Sequence, residues 1–378
     1  MRIHPLDGLL FLSMKLLKSL DYRDTDLNHF DPERVRNILV VSSTAIGDTL
    51  LSTPAIRAVR KRYPRAKIVA HLNRKNMELF ENNSHVDSII PYDGGYRRFL
   101  GTVREFRRHK FDLVLIFHGN EPQATPMAYL SGARFIIKVP MSGKYGFLLS
   151  NTHNGFDDPM RQHVIDLRLK AASFAGCGEE NREMTLVVGK DQELLIERHM
   201  EILGLPKDAI IVGFQVGAAS GYKAWPGKSF VELGRRLTAE SPEIHIVMTG
   251  SQQERDICDS VAERIGKKAF SVAGDTPLKL AGAMIRKMKV LVTNDTGPMH
   301  MAIALQVKTV SLFCPTNVRN VGPSQDLHLH RVIKKEKPCD PCVAKKGCEK
   351  PFCMELITVD EVYGAVKELL SERAPAVP

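Results

Sequence analysis

Short apolar runs alternate along this chain with longer segments whose apolar residues recur at helical spacing. In the first half, the apolar runs predict strands near residues 38–41, 67–72, 88–91, 113–117 and 135–139. In the second half, the same pattern predicts strands near residues 210–215, 245–249, 290–293 and 309–313. Strands that alternate with helices are typical of parallel sheets built from strand–helix–strand units. We therefore expect an α/β protein with one such sheet in each half.

The length of the chain, 378 residues, exceeds what a single hydrophobic core usually serves, so we expect two domains. The sequence divides into an N-terminal domain, residues 37–180, and a C-terminal domain, residues 181–378. Residues 1–36 precede this pattern as an amphipathic extension, with an apolar helix that carries lysines on one side. Such a helix suits a membrane interface, and it suits equally well packing onto the protein or onto a second subunit.

The turn after the first predicted strand contains one carboxylate, Asp48, directly after Gly47. The segment lacks the three glycines of a dinucleotide-binding fingerprint. We predict one helix from about Asp48 to Tyr63. Asp48 has two interpretations: it caps this helix, or it projects from the sheet edge as a general base.

A second strand-to-helix turn lies between the apolar run at 290–292 and the next predicted helix. Its candidate ligand-binding residues are Asp295, Thr296, Gly297, Pro298, Met299 and His300. Pro298 suits the first turn of a helix, and Gly297 lets a ligand approach the backbone closely. The N–H groups of such a turn form a phosphate or diphosphate site. The alternative is an ordinary turn with an aspartate cap.

Further candidates follow other strands of the second half. Lys223 lies in the loop after the strand at 210–215, where an ammonium group would neutralise phosphate charge, with Ser220 as a minor candidate beside it. Glu254 follows the strand at 245–249, at a strand end where the ribose of a bound nucleotide would reach it. The alternative for Lys223 is a solvated loop lysine.

Four segments in this order carry a resemblance to a known family: Gly47-Asp-Thr-Leu-Leu-Ser-Thr-Pro-Ala55, Gly217-Ala-Ala-Ser-Gly-Tyr-Lys-Ala-Trp-Pro226, Asn294-Asp-Thr-Gly-Pro-Met-His300 and Phe313-Cys-Pro-Thr316. From about Asn37 onwards, the chain resembles glycosyltransferase family nine, the heptosyltransferases of lipopolysaccharide core synthesis. The resemblance implies the GT-B architecture, with two Rossmann-like domains facing across a cleft. The N-terminal domain would bind the acceptor and the C-terminal domain the nucleotide sugar.

The resemblance also implies an inverting transfer of heptose from ADP-heptose to lipid A-linked Kdo, or to a heptose already attached to it. Asp48 would be the general base and Lys223 would stabilise the leaving diphosphate. Asp295 would bond sugar hydroxyls or orient its turn. The transfer would require no cofactor. The alternatives are a family member with another donor or acceptor, a different enzyme of this architecture, and a non-catalytic sugar-nucleotide-binding scaffold.

Positive charge is concentrated in the first half of the chain. Residues 1–170 hold 26 Lys+Arg and 17 Asp+Glu, a net charge of +9 out of +10 for the whole chain. Much of it lies in the basic segment, residues 96–110. We expect an anionic acceptor or a membrane surface as its partner, with a solvated helix face as the alternative and no nucleic acid, because no nucleic-acid-binding module accompanies it. Within the resemblance, Gly47, Arg97 and Arg98 become candidates for acceptor binding.

Four of the seven cysteines cluster in the segment 338–353, as Cys339, Cys342, Cys348 and Cys353. Four thiolates suit a structural zinc or iron in tetrahedral geometry, whereas reduced thiols or disulfides are the alternatives. The start of the chain lacks a signal-peptide pattern and no apolar run is long enough to span a bilayer. We expect a cytoplasmic protein, peripheral at times on the inner face of the cytoplasmic membrane.

Overall fold

The computed structural model describes residues 5–119, 122–139, 143–151, 156, 161–218, 220–314, 316–336, 339 and 352–372. The chain forms two compact units, Met1–Thr185 and Leu186–Pro378. We call them the first and the second unit. Each is built around one parallel β-sheet with helices packed on it, as the strand–helix alternation predicts.

The strands of the first unit form a five-stranded sheet in the order β3-β2-β1-β4-β5. The strands are β1 (Asn37–Ser42), β2 (Lys67–Asn73), β3 (Ser88–Tyr92), β4 (Leu113–His118) and β5 (Phe135–Lys138). The helices are α1 (Pro5–Ser19), α2 (Ile46–Leu51), α3 (Thr53–Arg62), α4 (Phe99–His109), α5 (Ala124–Leu130) and α6 (Val164–Ser173). All five strands lie where the apolar runs predict them. The central strands β1 and β4 are buried along almost their whole length, which explains their uninterrupted apolar sequences.

One helix prediction in this unit is wrong. The single helix expected from about Asp48 to Tyr63 is two helices, α2 and α3, separated at Ser52. Pro54 has no N–H to continue the helical hydrogen bonds, and the Ser52 hydroxyl donates back to the carbonyl of Asp48 at 3.0 Å. Asp48 therefore lies in the first turn of a separate short helix, α2.

The strands of the second unit form a six-stranded sheet in the order β11-β10-β9-β6-β7-β8. The strands are β6 (Ile210–Gln215), β7 (Ile244–Thr249), β8 (Ala269–Ser271), β9 (Val290–Asn294), β10 (Lys308–Phe313) and β11 (His330–Lys334). The helices are α7 (Lys190–Ile202), α8 (Gly227–Glu240), α9 (Arg255–Ile265), α10 (Leu278–Arg286), α11 (Gly297–Ala304), α12 (Val318–Val321) and α13 (Val359–Ser371). The sequence pattern predicts the four inner strands but neither edge strand, β8 or β11.

Helix α1 packs onto the first unit. Met14 is buried in a core cluster that includes Phe99 and Val103 of α4, and Leu10 and Phe11 pack against the same cluster. Residues 1–36, predicted as an extension, are therefore joined to the first unit through α1. Among the described residues, no helix has both the length and the apolar character that crossing a bilayer requires.

Candidate functional site

The strand order places a topological switch point in the first unit between β1 and β4. From β1 the chain proceeds through β2 to β3 on one side of the sheet, and β4 and β5 lie on the other. The loops that leave the carboxyl ends of β1 and β4 therefore diverge, and such divergence opens a crevice where α/β proteins bind ligands. Asp48 follows β1 and His118 ends β4, so the sheet brings both side chains to this point.

Asp48 is the third residue of α2 and does not cap that helix. The N-cap position is Ala45, which has no side-chain bond to offer. The carboxylate instead accepts a hydrogen bond from the hydroxyl of Thr44, with Thr44 Oγ1 and Asp48 Oδ2 3.0 Å apart. With 29% of its side chain exposed, Asp48 reaches solvent at the switch point.

A buried arginine from α6 holds Asp48 in place. Arg168 Nη1 donates to the backbone carbonyl of Asp48 at 2.7 Å, and Nη2 lies 3.2 Å from Asp48 Oδ1. Only 1% of Arg168 is exposed. Burial lowers the pKa of the guanidinium, whereas the Asp48 carboxylate acts in the opposite direction. The pair fixes the position of Asp48 through both its backbone and its side chain.

The imidazole of His118 completes this cluster. Its Nδ1 lies 2.6 Å from Thr44 Oγ1, and its Nε2 lies 3.8 Å from Asp48 Oδ1. Burial lowers the pKa of His118, opposed by the Asp48 carboxylate and assisted by the Arg168 charge. The neutral ring is thus favoured. We call Thr44, Asp48, His118 and Arg168 the Asp48 cluster.

Of these four residues, only Asp48 was predicted from the sequence. Arg168 carries the clearest signal, since it shares the buried side of α6 with Ile165 and Ala172, where an apolar residue would be expected. A charged residue at a core-facing helix position requires a buried partner. His118 is the polar residue that ends the apolar strand β4, at the edge where ligands bind.

The other candidates of the first unit lie apart from one another. Gly47 is buried in the first turn of α2, beside Asp48. Arg97 and Arg98 follow β3, at the same edge of the sheet but two strands from β1. Both are exposed, and Arg98 Nη1 lies 3.0 Å from a carboxylate oxygen of Asp93.

In the second unit the switch point lies between β6 and β9. The chain proceeds from β6 through β7 to β8 on one side, and β9, β10 and β11 extend on the other. Lys223 follows β6 and Asp295 follows β9, and Lys223 Nζ donates to Asp295 Oδ2 at 2.7 Å. Lys223 is thus a partnered lysine at the predicted edge of the sheet. Its side chain is 26% exposed and that of Asp295 is 9% exposed.

Asn294, the last residue of β9, connects the two loops at this point. Its Nδ2 donates to carbonyls that follow β6, those of Val216 at 3.0 Å and Gly217 at 3.2 Å. Its Oδ1 accepts from the backbone N–H of Trp225 at 2.9 Å. Asn294 is completely buried, so these bonds fix the loop that carries Lys223. Asn294 was not among the site residues predicted from the sequence.

Helix α11 begins at the same point. Its N-cap is Thr296, without a side-chain capping bond, and Pro298 lies in the first turn. An aspartate cap, the alternative interpretation of this turn, is therefore wrong, because Asp295 precedes the N-cap and pairs with Lys223. The N–H groups of the first turn lack intrahelical partners by geometry and point towards the sheet edge. Met299 and His300 are buried, at 0% and 4% exposure.

Glu254 lies against the loop after β6. Its Oε2 accepts from the backbone N–H and the hydroxyl of Ser251, both at 2.8 Å. A methyl group at Gly217 would overlap the Glu254 carboxylate, so the glycine is what allows the two segments to approach. Ser220 begins the short turn Gly221–Lys223 and accepts the Lys223 N–H through its carbonyl at 2.9 Å. The structure therefore brings Ser220, Glu254 and the α11 turn to one sheet edge.

Comparison with known proteins decides the family. The family model of glycosyltransferase family 9 (heptosyltransferase) matches residues 102–352. The chain belongs to glycosyltransferase family 9. The resemblance inferred from the four sequence segments is thereby confirmed, and this family 9 protein is a glycosyltransferase, as predicted.

Relatives of this family 9 protein match along nearly their whole length. The lipopolysaccharide core heptosyltransferase OpsX of Haemophilus influenzae is 20% identical over 89% of this chain and 98% of its own. A solved family 9 glycosyltransferase from Veillonella parvula is 23% identical and covers 89% of this chain and 98% of its own, with a TM-score of 0.75. The ADP-heptose lipopolysaccharide heptosyltransferase II of Escherichia coli is 23% identical and covers 88% and 98%, with a TM-score of 0.71. These likenesses confirm the predicted GT-B fold.

The cysteine cluster of this family 9 protein is described only in part. Cys342 and Cys348 lie outside the described residues. Cys339 is exposed and Cys353 half-buried, and both are free thiols. Within the described part of the chain, no group of three or more His, Cys, Asp or Glu side chains is arranged to hold a metal. A structural zinc or iron bound by all four cysteines stays a prediction.

Proposed function

We propose that this chain is an inverting heptosyltransferase that moves a heptose from ADP-heptose to an acceptor of the lipopolysaccharide core, with Asp48 as the general base. The observation that carries the proposal is the Asp48 cluster, which holds one partly exposed carboxylate at the switch point of the first unit. A single carboxylate base suffices for such a displacement, because the diphosphate leaves without a proton.

The donor is assigned to the second unit. A nucleoside diphosphate requires N–H donors and a cation, and the first turn of α11 and Lys223 offer both at one sheet edge. Asp295 is the present partner of Lys223, so a diphosphate would share or replace that contact while Asp295 turns to sugar hydroxyls. Glu254 is assigned to the ribose. The heptosyltransferase II of Escherichia coli is named for ADP-heptose, which supports the same donor here.

The acceptor is assigned to the first unit. We propose a lipid A-linked Kdo, or a heptose attached to it, since one relative is named a lipopolysaccharide core heptosyltransferase and another a lipopolysaccharide heptosyltransferase. Gly47 permits close approach of the acceptor to the turn, and Arg97 and Arg98 offer exposed guanidinium groups to its anionic groups. An acceptor with acyl chains lies in a bilayer, so we expect the enzyme to work from the cytoplasm at the inner membrane surface.

The reaction would proceed in one displacement. Asp48 accepts the proton of the acceptor hydroxyl while that oxygen forms a bond to the anomeric carbon of the heptose. The bond between the anomeric carbon and the diphosphate oxygen breaks at the same time, and ADP departs with its electron pair. Lys223 and the N–H groups of α11 stabilise the charge that develops on the diphosphate. Attack from the face opposite the leaving group inverts the anomeric centre.

Calorimetric titration tests the donor assignment directly. The purified protein is titrated with ADP-heptose, ADP, UDP, GDP-sugars and UDP-sugars. Selective binding of ADP and ADP-heptose supports the proposal, whereas tighter binding of a uridine or guanosine compound favours a family member with another donor. Binding of none of them favours the scaffold alternative. Transfer of heptose to a purified core acceptor, with the anomeric configuration of the product read by NMR, then tests the reaction itself.

A further inference from the structure

Helix α1 exposes a row of leucines that nothing in the first unit covers among the described residues. We call this row the leucine face. Its members are Leu9, Leu12, Leu16, Leu17 and Leu20, which are 62%, 65%, 64%, 43% and 64% exposed, respectively. Spacings of three and four residues place them along one side of the helix, and Leu20 follows directly after its last turn. A contiguous apolar surface of this kind on a water-exposed helix marks an interaction site.

The opposite side of α1 is already occupied. Met14 is buried in the core of the first unit, and the Phe11 ring packs edge-on against Tyr145 and Phe147, with centroids 5.7 and 5.8 Å away. The helix therefore has two apolar sides, one packed and one exposed. Folding of the first unit accounts for the packed side only.

Polar contacts hold α1 at both ends. Near its start, the Tyr96 hydroxyl donates to Asp7 at 2.6 Å. Just after its end, Asp21 accepts from the Tyr129 hydroxyl at 2.9 Å and from the guanidinium of Arg23 at 2.8 Å. Rotation of the helix to bury the leucine face would break these contacts and expose Met14. The leucine face thus stays outward in the folded unit.

Two exposed lysines, Lys15 and Lys144, lie at the border between the leucine face and the packed side of α1. Lys15 lies on α1 between Leu12 and Leu16 in sequence. The ammonium groups of Lys15 and Lys144 lie 5.0 and 5.4 Å, respectively, from the centroid of the Phe11 ring. A helix with leucines on one side and cations beside them suits the interface of an anionic bilayer.

Given the lipid-linked acceptor of the proposed function, we propose that the leucine face docks the first unit on an anionic phospholipid bilayer. The leucines enter the boundary between headgroups and acyl chains, and the neighbouring lysines contact lipid phosphates. Charge favours this occupant over a second copy of the chain, because the core of a protein–protein interface is depleted of charged residues and two copies would bring like charges together. Docking would hold the enzyme where its acceptor lies.

Vesicle binding tests the inference with the full-length chain. Co-sedimentation is measured with vesicles of phosphatidylglycerol and phosphatidylethanolamine, and with vesicles of phosphatidylcholine alone. The test variant is Leu9→Ser/Leu12→Ser/Leu16→Ser, and the matched control is Leu194→Ser/Leu195→Ser, which changes leucines of α7 that are 57% and 49% exposed in the second unit. We expect the native chain and the control to bind the anionic vesicles, and the test variant to bind about tenfold or more weakly. The thermal midpoint and the ADP affinity of the test variant should match those of the native chain.

Three results would overturn the inference. The first is that the native chain does not sediment with anionic vesicles. The second is that the test variant sediments as well as the native chain does. The third is that the native chain is an oligomer, the test variant is a monomer, and both bind vesicles equally. The last result would assign the leucine face to a second copy.

Activity separates this inference from the proposed function. We expect the test variant to lose turnover on an acceptor embedded in vesicles but to keep it on the deacylated, water-soluble acceptor. If the native chain transfers heptose to neither acceptor, the proposed function fails, and vesicle binding still decides whether the leucine face docks on a membrane. Equal loss of turnover on both acceptors would count against docking.

Discussion

Arg168 contacts Asp48 twice, through the backbone carbonyl at 2.7 Å and through the carboxylate at 3.2 Å, although 120 residues separate them in sequence. The two contacts differ in kind. The bond to the carbonyl fixes the first turn of α2, whereas the bond to the carboxylate fixes the rotamer and balances its charge. One buried guanidinium therefore determines both where the proposed base lies and which way it points.

Replacing Asp48 by asparagine should abolish the base and leave the donor site intact. We expect Asp48→Asn to lower kcat by roughly a hundred- to ten-thousandfold, because general base catalysis contributes about that much. The affinity for ADP, measured by calorimetry, should stay within about twofold, since Asp48 belongs to the first unit and the donor is assigned to the second.

Asp166→Asn is the matched control for this change. Asp166 lies on α6 two residues before Arg168, and its carboxylate pairs with Arg182. Its turnover should equal that of the native chain. Native turnover in Asp48→Asn would remove Asp48 from the reaction.

Replacing Arg168 tests a positioning residue, which acts through Asp48. We expect Arg168→Met to lower kcat by roughly ten- to hundredfold while KM for the donor changes little, because the carboxylate loses its fixed orientation. Loss of the cation also disfavours the ionised carboxylate, so the acidic limb of the pH–rate profile should move to higher pH. Arg168→Lys keeps the charge and should restore the position of that limb in part. A merely structural arginine would lower the thermal midpoint without moving the limb.

Replacing Lys223 should weaken binding of the donor diphosphate. We expect Lys223→Met to lower the ADP affinity roughly ten- to hundredfold, which corresponds to the loss of a charge-assisted hydrogen bond of about 1.5–3 kcal/mol. Lys228→Met is the control, because Lys228 is an exposed lysine in the first turn of α8. Equal ADP affinities for both variants and the native chain would refute the role of Lys223.

A methyl group at position 217 should displace Glu254. We expect Gly217→Ala to lower the ADP affinity about tenfold if Glu254 binds the ribose, and to lower the thermal midpoint because Glu254 also accepts the bonds of Ser251. Gly221→Ala is a matched control in the same loop, since a methyl group there meets no atom within 4 Å. If only the midpoint falls, Glu254 has a structural role and no part in donor binding.

The first unit should become less stable as the pH falls, because its fold holds His71 neutral. This histidine is fully buried in β2, and burial lowers its pKa from 6.5 to about 4, while its bond to the Ile90 carbonyl acts weakly in the opposite direction. Between these two values the unfolded chain binds more protons than the fold, so stability is complete above about pH 6.5 and is lost as the pH falls towards 4.

Denaturant unfolding of the first unit checks this expectation. Between neutral pH and about pH 5, His71 should account for a loss of about 2 kcal/mol in the free energy of unfolding. His71→Leu should reduce the pH dependence by that amount. An unchanged slope in this variant would show that other groups cause the acid sensitivity.

The sequence predicts the inner strands of both sheets because strands buried on both faces are uninterrupted apolar runs. The two edge strands of the second sheet are not predicted, for the opposite reason. Residues of β11 are alternately half-buried and exposed after His330, and β8 is three residues long, so neither produces a distinct apolar run.

The residues of the site also differ in how far the sequence predicts them. Asp48 and the turn at Asp295 stand in local motifs, whereas Arg168 and Asn294 contact residues far away in sequence. Such contacts are properties of the fold rather than of a segment.

Trp225 is the chain's single tryptophan, and it lies next to the proposed donor site. Its indole N–H donates to the Ile357 carbonyl at 2.9 Å, and its backbone N–H binds Asn294, the residue that fixes the loop of Lys223. Intrinsic tryptophan fluorescence therefore originates in the second unit alone. We expect this single residue to report nucleotide binding at the proposed donor site and the unfolding of the second unit, without a signal from the first.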